Sequence, residues 1–317
     1  MFFNRGGKLL RVLEFNGSDV YESSLEDMGF DNLKWVDCKD PTEQEVEKVQ
    51  DVIKISKNEL ERCLDEDERP GLIDIDNFTT LVFKAPIKGH DKVFTSSFSL
   101  LVSERLIVSF STRDIDGLDR VWSSHSKTLF QRGSSYIAYT ILERVMDDYF
   151  HNLDEIEKNI DYIESKVFHI PDKATVREIF SLKRTLIYFQ KALSADREVI
   201  SGIEKGYCEY VEELPNFRYV YDDIVQLVDM VATYRDILTG SLDIYLSSVS
   251  NNMNKIMKKI TALGSLVLVP TFITGLYGMN FQFMPEITWK YGYAFAWGLI
   301  AISFIFLFWY FRKKEWL

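Results

Sequence analysis

Two uncharged runs near the end of the chain restrict its fold more than anything else in the sequence. No Asp, Glu, Lys or Arg occurs from Ile260 to Pro285, nor again from Tyr291 to Phe311. Each run can supply the ~20 apolar residues that cross a bilayer as a helix. The second, YGYAFAWGLIAISFIFLFWYF, concentrates aromatics at both ends, like interfacial anchors. A buried helix pair in a soluble core fits poorly, because the runs are too long and too close together. The first run ends in TGLYGMNFQFMPE, from Thr274 to Glu286, a strangely polar turn for an apolar hairpin.

Flanking charge gives an orientation. Lys255, Lys258 and Lys259 precede the first run, and Arg312, Lys313 and Lys314 follow the second. Both basic clusters are expected on the cytoplasmic face of the cell membrane. The large N-terminal part and the short tail are then inside, and only the loop around Asn280 to Lys290 faces out. The start, MFFNRGGKLLRVLEF, lacks an uninterrupted apolar core and a small-residue cleavage site, so it reads as a first strand and not as a signal peptide.

Composition narrows the function classes. The formal net charge over 317 residues is −11, which argues against a nucleic-acid binder with its basic face and favours small cations as partners. Cys38, Cys63 and Cys208 form no CxxC pair, and His90, His125, His151 and His169 are scattered. Neither a disulfide framework nor a structural zinc site is expected. There is no GxxxxGK[ST] motif, no paired nucleophile and base, and no metal-ligand cluster. The chain reads as no enzyme, with no organic cofactor.

The fold class expected is an α+β membrane protein. Residues 1–133 form a mixed α/β cytoplasmic domain, with strands in LIDIDNFTTLVFKAPI, VFTSSFSLLVSE and RLIVSFST. A helix is announced by DPTEQEVEKVQDVI, with Asp40 placed to cap, Pro41 in the first helical position and Glu43 as the capping-box acid. Residues 134–214 form an antiparallel helical pair broken near Pro171; its acidic run from Asp147 to Glu164 reads as a solvated face. From 215 to 277 a stalk helix continues into the first span, on the order of 90 Å long at 1.5 Å per residue. The outer loop covers 278–290, the second span 291–311 and the basic tail 312–317.

The stalk carries the most informative pattern. Every seventh residue gives Asp222, Asp229, Asp236, Asp243, Ser250, Met257, Gly264, Thr271 and Gly278. A second seam, offset by four, gives Gln226, Thr233, Gly240, Ser247, Asn254, Thr261, Leu268 and Gly275. A coiled coil would fill both seams with leucine-like residues; here they are polar or small except at Met257 and Leu268. Ile224, Val225, Leu227, Val228, Ile237, Leu238, Leu242, Ile244 and Leu246 form the expected packed flanks. A solvated face on a dimeric coiled coil would also explain the aspartates. It would not explain polar positions inside the span, where lipid penalises them. The pattern suggests several copies of the helix around a wet axis, with small residues leaving a bore and aspartate rings concentrating cations. Pro270, inside the span, leaves the Leu266 carbonyl without its helical N–H, so a local kink is expected.

YGMN at Tyr277–Asn280, followed by F-x-F-M-P-E and a second span ending RKKEWL, resembles the CorA family of divalent-cation channels over essentially the whole chain. The resemblance implies a homopentameric Mg2+ channel that also passes Co2+ and Ni2+, with both termini cytoplasmic. It implies that Gly278, Met279 and Asn280 form the outer selectivity ring. The pore lining falls on Asn254, Met257, Leu268, Thr271 and Gly275, together with Thr261 on the same seam, and Asp243 forms an acidic ring near the inner mouth. Glu286 of the outer loop is placed to attract cations. Members of the family are expected to sense cytoplasmic Mg2+ through carboxylates between neighbouring domains. This sequence departs from that pattern: Arg62 and Tyr219 stand where acids are expected, and Glu61, Asp65, Asp222 and Asp223 are the nearby substitutes. Two other functions fit less well. A zinc transporter of the same superfamily would vary the residue before the asparagine, which is Met279 here. A membrane-tethered cation sensor or scaffold would need no polar seam across a span.

Overall fold

A computed structural model describes residues 10–25, 32–75, 77–89, 93–167, 172–212, 215–282, 284–286 and 288–317. His90, His169, Pro171, Phe283 and the residues before Leu10 lie outside the described set. The chain divides into two compact units, residues 1–166 with 172–241, and residues 167–171 with 242–317.

The first unit is built on one seven-stranded sheet. Its strands are β1 (Leu10–Phe15), β2 (Val20–Glu22), β3 (Leu33–Lys39), β4 (Gly71–Ile75), β5 (Phe78–Lys88), β6 (Val93–Val102) and β7 (Leu106–Ser111), in the order β2-β1-β3-β7-β6-β5-β4. All neighbours are antiparallel except β3 and β7. Parallel neighbours need a long crossover, and that connection carries β4, β5 and β6 together with two helices, α1 (Glu43–Ile53) and α2 (Lys57–Cys63).

Strand alternation sorts the two faces. Val12, Val36, Cys38, Leu101, Val108 and Phe110 point to a core closed by Val49, Ile53, Leu60 and Cys63 of α1 and α2. On the other face Trp35 packs edge-on against Trp122 of α3 (Asp116–Ser123), with ring centroids 4.9 Å apart. A short α4 (Lys127–Gln131) follows. Every residue of β7 is buried, as befits the centre of a sheet covered on both sides.

The start of α1 differs from the expectation. Thr42 caps it, accepting from the Glu45 amide while Glu45 reaches back to the Thr42 backbone. Asp40 is drawn instead into the sheet edge, where its N–H donates to Ser111 O at 2.7 Å and its φ becomes 44°. The capping box is therefore displaced by two residues toward the C-terminus.

Three long helices complete the unit. α5 (Ser134–Val167) and α6 (Lys173–Glu204) run antiparallel, as the Tyr149–Phe189 ring contact at 5.0 Å and the shared lining of Ile156 and Leu182 require. α6 lies on β4, β5 and β6. α7 (Phe217–Tyr277) is a single helix of 61 residues, long enough to reach about 90 Å. Its share of the first unit buries Phe217, Val220, Ile224, Leu227, Val231, Tyr234, Leu238 and Ser241, a strict alternation of three and four residues. That stripe packs on α5 and α6: Phe217 meets Tyr139 edge-on at 6.0 Å, and Lys183 Nζ donates to Thr239 Oγ1 at 2.8 Å.

The second unit holds the remainder of α7 and α8 (Gly292–Lys313). Both helices are long and apolar enough to cross a membrane. Ala262, Leu266, Gly292 and Phe311 are buried, whereas Ile256, Ile260, Leu263, Val267, Phe272, Ile302 and Phe306 stand exposed. Ile244 and Leu246, expected among the packed flanks, are exposed too, because the stripe that packs against α5 and α6 ends at Ser241. α7 continues unbroken through Pro270, and Thr271 Oγ1 donates to Val267 O at 2.8 Å within the same turn.

Candidate functional site

A helix advances 100° per residue, so a residue two places from a buried one points to the opposite side. Asp222 stands two before Ile224, and Asp229 two after Leu227. The packing that buries the stripe therefore forces the first seam outward. In the first unit Asp222, Asp229, Asp236, Gln226, Thr233 and Gly240 are all exposed. In the second unit the same holds for Asp243, Ser247, Ser250, Asn254, Met257, Thr261, Gly264, Leu268, Thr271, Gly275 and Gly278. No member of either seam is covered by the chain's own packing. Gly240, Gly264 and Gly275 have open space where a Cβ would stand, so nothing in a single chain requires glycine there.

The end of α7 places the YGMN residues. Gly278 N–H donates to Thr274 O at 2.9 Å and Met279 N–H to Leu276 O at 3.3 Å, which closes the last turn. Gly278 does not adopt a left-handed φ; glycine is favoured there because a Cβ would stand 3.1 Å from Thr274 O. Met279 and Asn280 follow, both exposed. The negative end of a helix dipole lies at this terminus, and it attracts cations. Glu286 is half-buried in the loop that follows, and its carbonyl accepts from Trp289 N–H at 3.4 Å. Trp289 contacts the rings of Tyr291 and Phe295.

At the other end of the second unit, Asn254, Met257 and Thr261 line a groove together with Lys255, Lys258 and Trp316. The sequence reading used Trp316 only within the RKKEWL ending and gave it no site role.

The four substitute acids are not brought together. Glu61 is exposed on α2 and pairs with Lys57 at 3.9 Å. Asp65 accepts the Asp67 N–H at 2.9 Å in the turn after α2. Asp222 pairs with Arg218 at 3.2 Å. Asp223 is half-buried and its carboxyl is pushed above the ordinary range, first by burial and then by Asp147, Glu143 and Asp222. Arg62 is held by Glu68 at 2.7 Å, and Tyr219 is exposed. Among the described residues no group of three or more His, Cys, Asp or Glu could hold a metal ion. A regulatory ion does not fit these acids within one chain.

Comparison with known proteins supplies the family. The model of the CorA-like Mg2+ transporter proteins matches residues 30–313. The chain is 31% identical over 306 residues to a cobalt/magnesium transport protein CorA of Methanocaldococcus jannaschii, covering 94% of this chain and 96% of the relative. It is 33% identical over 315 residues to the protein of the same name from Thermotoga maritima, covering 96% and 89%. The solved structure of the complete CorA magnesium transporter from M. jannaschii superposes with a TM-score of 0.90 at 29% identity, over 98% of this chain and 99% of that one. An N-terminal mixed α/β domain, one long helix and two C-terminal apolar helices, matched in this way from end to end, identify the chain as a member of the CorA family of membrane transporters.

Proposed function

We propose that the chain forms a homopentameric channel for Mg2+ influx, also passing Co2+ and Ni2+, with α7 lining the path and Gly278, Met279 and Asn280 forming the outer selectivity ring. The observation that carries this reading is the uninterrupted exposure of both seams from Asp222 to Gly278 along one helix. Polar and small residues left uncovered within an apolar span need other copies of the chain, or water, to face. Copies of α7 around an axis supply both. Asp243 then forms a cation-concentrating ring near the inner mouth, and Asn254, Met257, Thr261, Leu268, Thr271 and Gly275 line the path. Met257 and Leu268 are its narrow apolar points, where a pore can gate by dewetting.

Mg2+ dehydrates reluctantly. An asparagine ring offers neutral acceptors to its coordinated waters, whereas a carboxylate ring would hold the ion more tightly. Glu286 raises the local cation concentration at the outer end. The lysines before the first span and the basic residues after the second put both termini in the cytoplasm. A membrane potential of 100 mV then supplies about 4.6 kcal/mol per divalent ion entering. Cytoplasmic Mg2+ closes the path, and because the acids of one chain do not converge, any closing site draws Asp222, Asp223, Glu61 or Asp65 from neighbouring subunits.

The test is Mg2+ uptake into liposomes under an imposed potential. Asn280→Ala is expected to lower the flux by about tenfold or more; unchanged flux refutes the selectivity assignment. Running Mg2+, Co2+ and Zn2+ side by side separates the reading from a zinc transporter, for which uptake of Zn2+ would follow a pH gradient. Absence of any flux supports a sensor or scaffold.

A further inference from the structure

The α5–α6 pair carries two charged seams that pore formation by α7 leaves unused. On α6, Arg177, Arg184 and Lys191 stand seven residues apart, and all three are exposed. On α5, Asp147, Asp154 and Asp161 have the same spacing and are exposed as well. Asp147 pairs with Arg144 of its own helix at 2.8 Å. Among the described residues the other five have no ion-pair partner. Phe180, Ile187 and Tyr188 stand exposed beside the basic seam, and large apolar side chains gathered on an exposed face mark an interaction surface.

Packing within the pair fixes where each seam points. Tyr149 of α5 and Phe189 of α6 meet edge-on at 5.0 Å. Arg177, Arg184 and Lys191 lie about 120°, 140° and 160° around α6 from Phe189. Asp161, Asp154 and Asp147 lie about the same three angles around α5 from Tyr149. Both turns run in one sense when viewed down the antiparallel pair, so the two seams point in opposite directions. They are also level with each other. Each step back from Phe189 matches a step forward from Tyr149, and Ile156 and Leu182, seven steps on, border one cleft. Arg184 stands five residues before Phe189, and Asp154 five after Tyr149. Arg177 and Asp161 stand twelve before and twelve after, and Lys191 and Asp147 two after and two before.

We propose that α6 of one subunit docks its basic seam on the acidic seam of the next subunit's α5, closing an outer ring of alternating α5 and α6 helices. The inference rests on the reading of several copies of α7 around an axis. Rotation about an axis along the helices keeps every residue at its height. The partner subunit's Asp161, Asp154 and Asp147 then meet Arg177, Arg184 and Lys191 in register. Opposed seams on one chain make a heterologous contact, which repeats into a closed ring. The charges fix the register more than they add affinity. Two α6 faces do not pair, because their basic residues would meet. Lys158, on the acidic flank of α5, falls level with Phe180, whose ring face accepts a cation.

The test uses the full-length protein in detergent, in a Cys208→Ser background whose remaining cysteines, Cys38 and Cys63, are buried. Arg184→Cys combined with Asp154→Cys is treated with a short bismaleimide and resolved on a denaturing gel. The expected result is a ladder of linked chains ending at the full ring. Its yield should exceed by about threefold or more that of Arg184→Cys with Asp147→Cys, a mismatch of about 10 Å along the helix. Arg184→Glu is expected to lower the linkage of Arg177→Cys with Asp161→Cys by about threefold or more, and adding Asp154→Arg to restore it. Native mass separates the two readings. If the protein is a ring of several chains, equal linkage in matched and mismatched pairs overturns the docking. So does linkage by Arg184→Cys alone, which sets α6 against α6, or linkage of Arg184→Cys to Asp229→Cys on α7 in place of α5. A single-chain mass overturns the ring itself, and the docking with it. Should Arg184→Cys with Asp154→Cys fail to fold, Arg177→Cys with Asp161→Cys carries the same decision.

Discussion

The carbonyl oxygen of Glu286 occupies the space in which a Cβ on Gly292 would stand. The outer loop is thereby seated directly on the first turn of α8, where Gly292 N–H also bonds Trp289 O at 3.0 Å. Gly292→Ala must push the loop away, at a cost of about 1–3 kcal/mol or more. Gly298, six residues further along α8, has open space around its Cβ position in the single chain. Thermal unfolding in detergent should show Gly292→Ala well below the wild type and Gly298→Ala close to it.

The two faces of α7 predict opposite sensitivities within one turn. Leu227 is fully buried against the neighbouring helices, whereas Asp229 is exposed. Leu227→Ala should destabilise the cytoplasmic unit by about 2–5 kcal/mol, and Asp229→Ala by no more than about 0.5 kcal/mol. Denaturant unfolding followed by circular dichroism compares them directly.

Gly275 separates a pore-facing seam from a lipid-facing one. A Cβ there has open space within its own chain, and leucine improves helix propensity over glycine by about 0.8–1 kcal/mol. If the seam faces a path, Gly275→Leu should lower Mg2+ uptake by about tenfold or more without loss of thermal stability. If the seam faces lipid, uptake should be unchanged.

Asp223 gives a pH dependence with a definite sign. Its carboxyl is raised above the ordinary value of about 3.9 by burial first and by Asp147, Glu143 and Asp222 after it. The native state therefore holds more protons than the unfolded one between the ordinary and raised values. Stability falls as pH rises across that interval, and the penalty is complete above it. Asp223→Asn should melt higher than the wild type at neutral pH, with an advantage that shrinks on acidification. Added Mg2+ should narrow the gap at neutral pH if Asp223 contributes to a cation site. Melting curves across pH, with and without Mg2+, check both statements.

Much of the architecture was legible because its signals are periodic and local. Two uncharged runs suffice to mark apolar helices, and the stretch without proline between Pro215 and Pro270 marks one helix, which continues to Tyr277. The seams were legible for the same reason, since a seven-residue spacing survives without knowledge of any partner. The start of α1 was misread because the choice between Asp40 and Thr42 depends on a hydrogen bond to Ser111, on a strand 71 positions away in the sequence. The stacking of Trp316 on Phe311 was missed because an aromatic after a basic run has no fixed periodicity, and the two rings meet only through the reversal at Glu315.

The sequence by itself determined which face of α7 is polar, because residue spacing and helix pitch leave no other arrangement. It also determined that two segments suit lipid, because twenty uncharged residues cannot be solvated cheaply. Only the tertiary structure decided that the polar face stays uncovered. That required α5 and α6 to take the opposite stripe, from Phe217 to Ser241, a choice among competing surfaces of similar hydrophobicity that long-range packing alone resolves. The same packing gathers no three of Glu61, Asp65, Asp222 and Asp223 into one site, an outcome that spacing along the chain does not reveal.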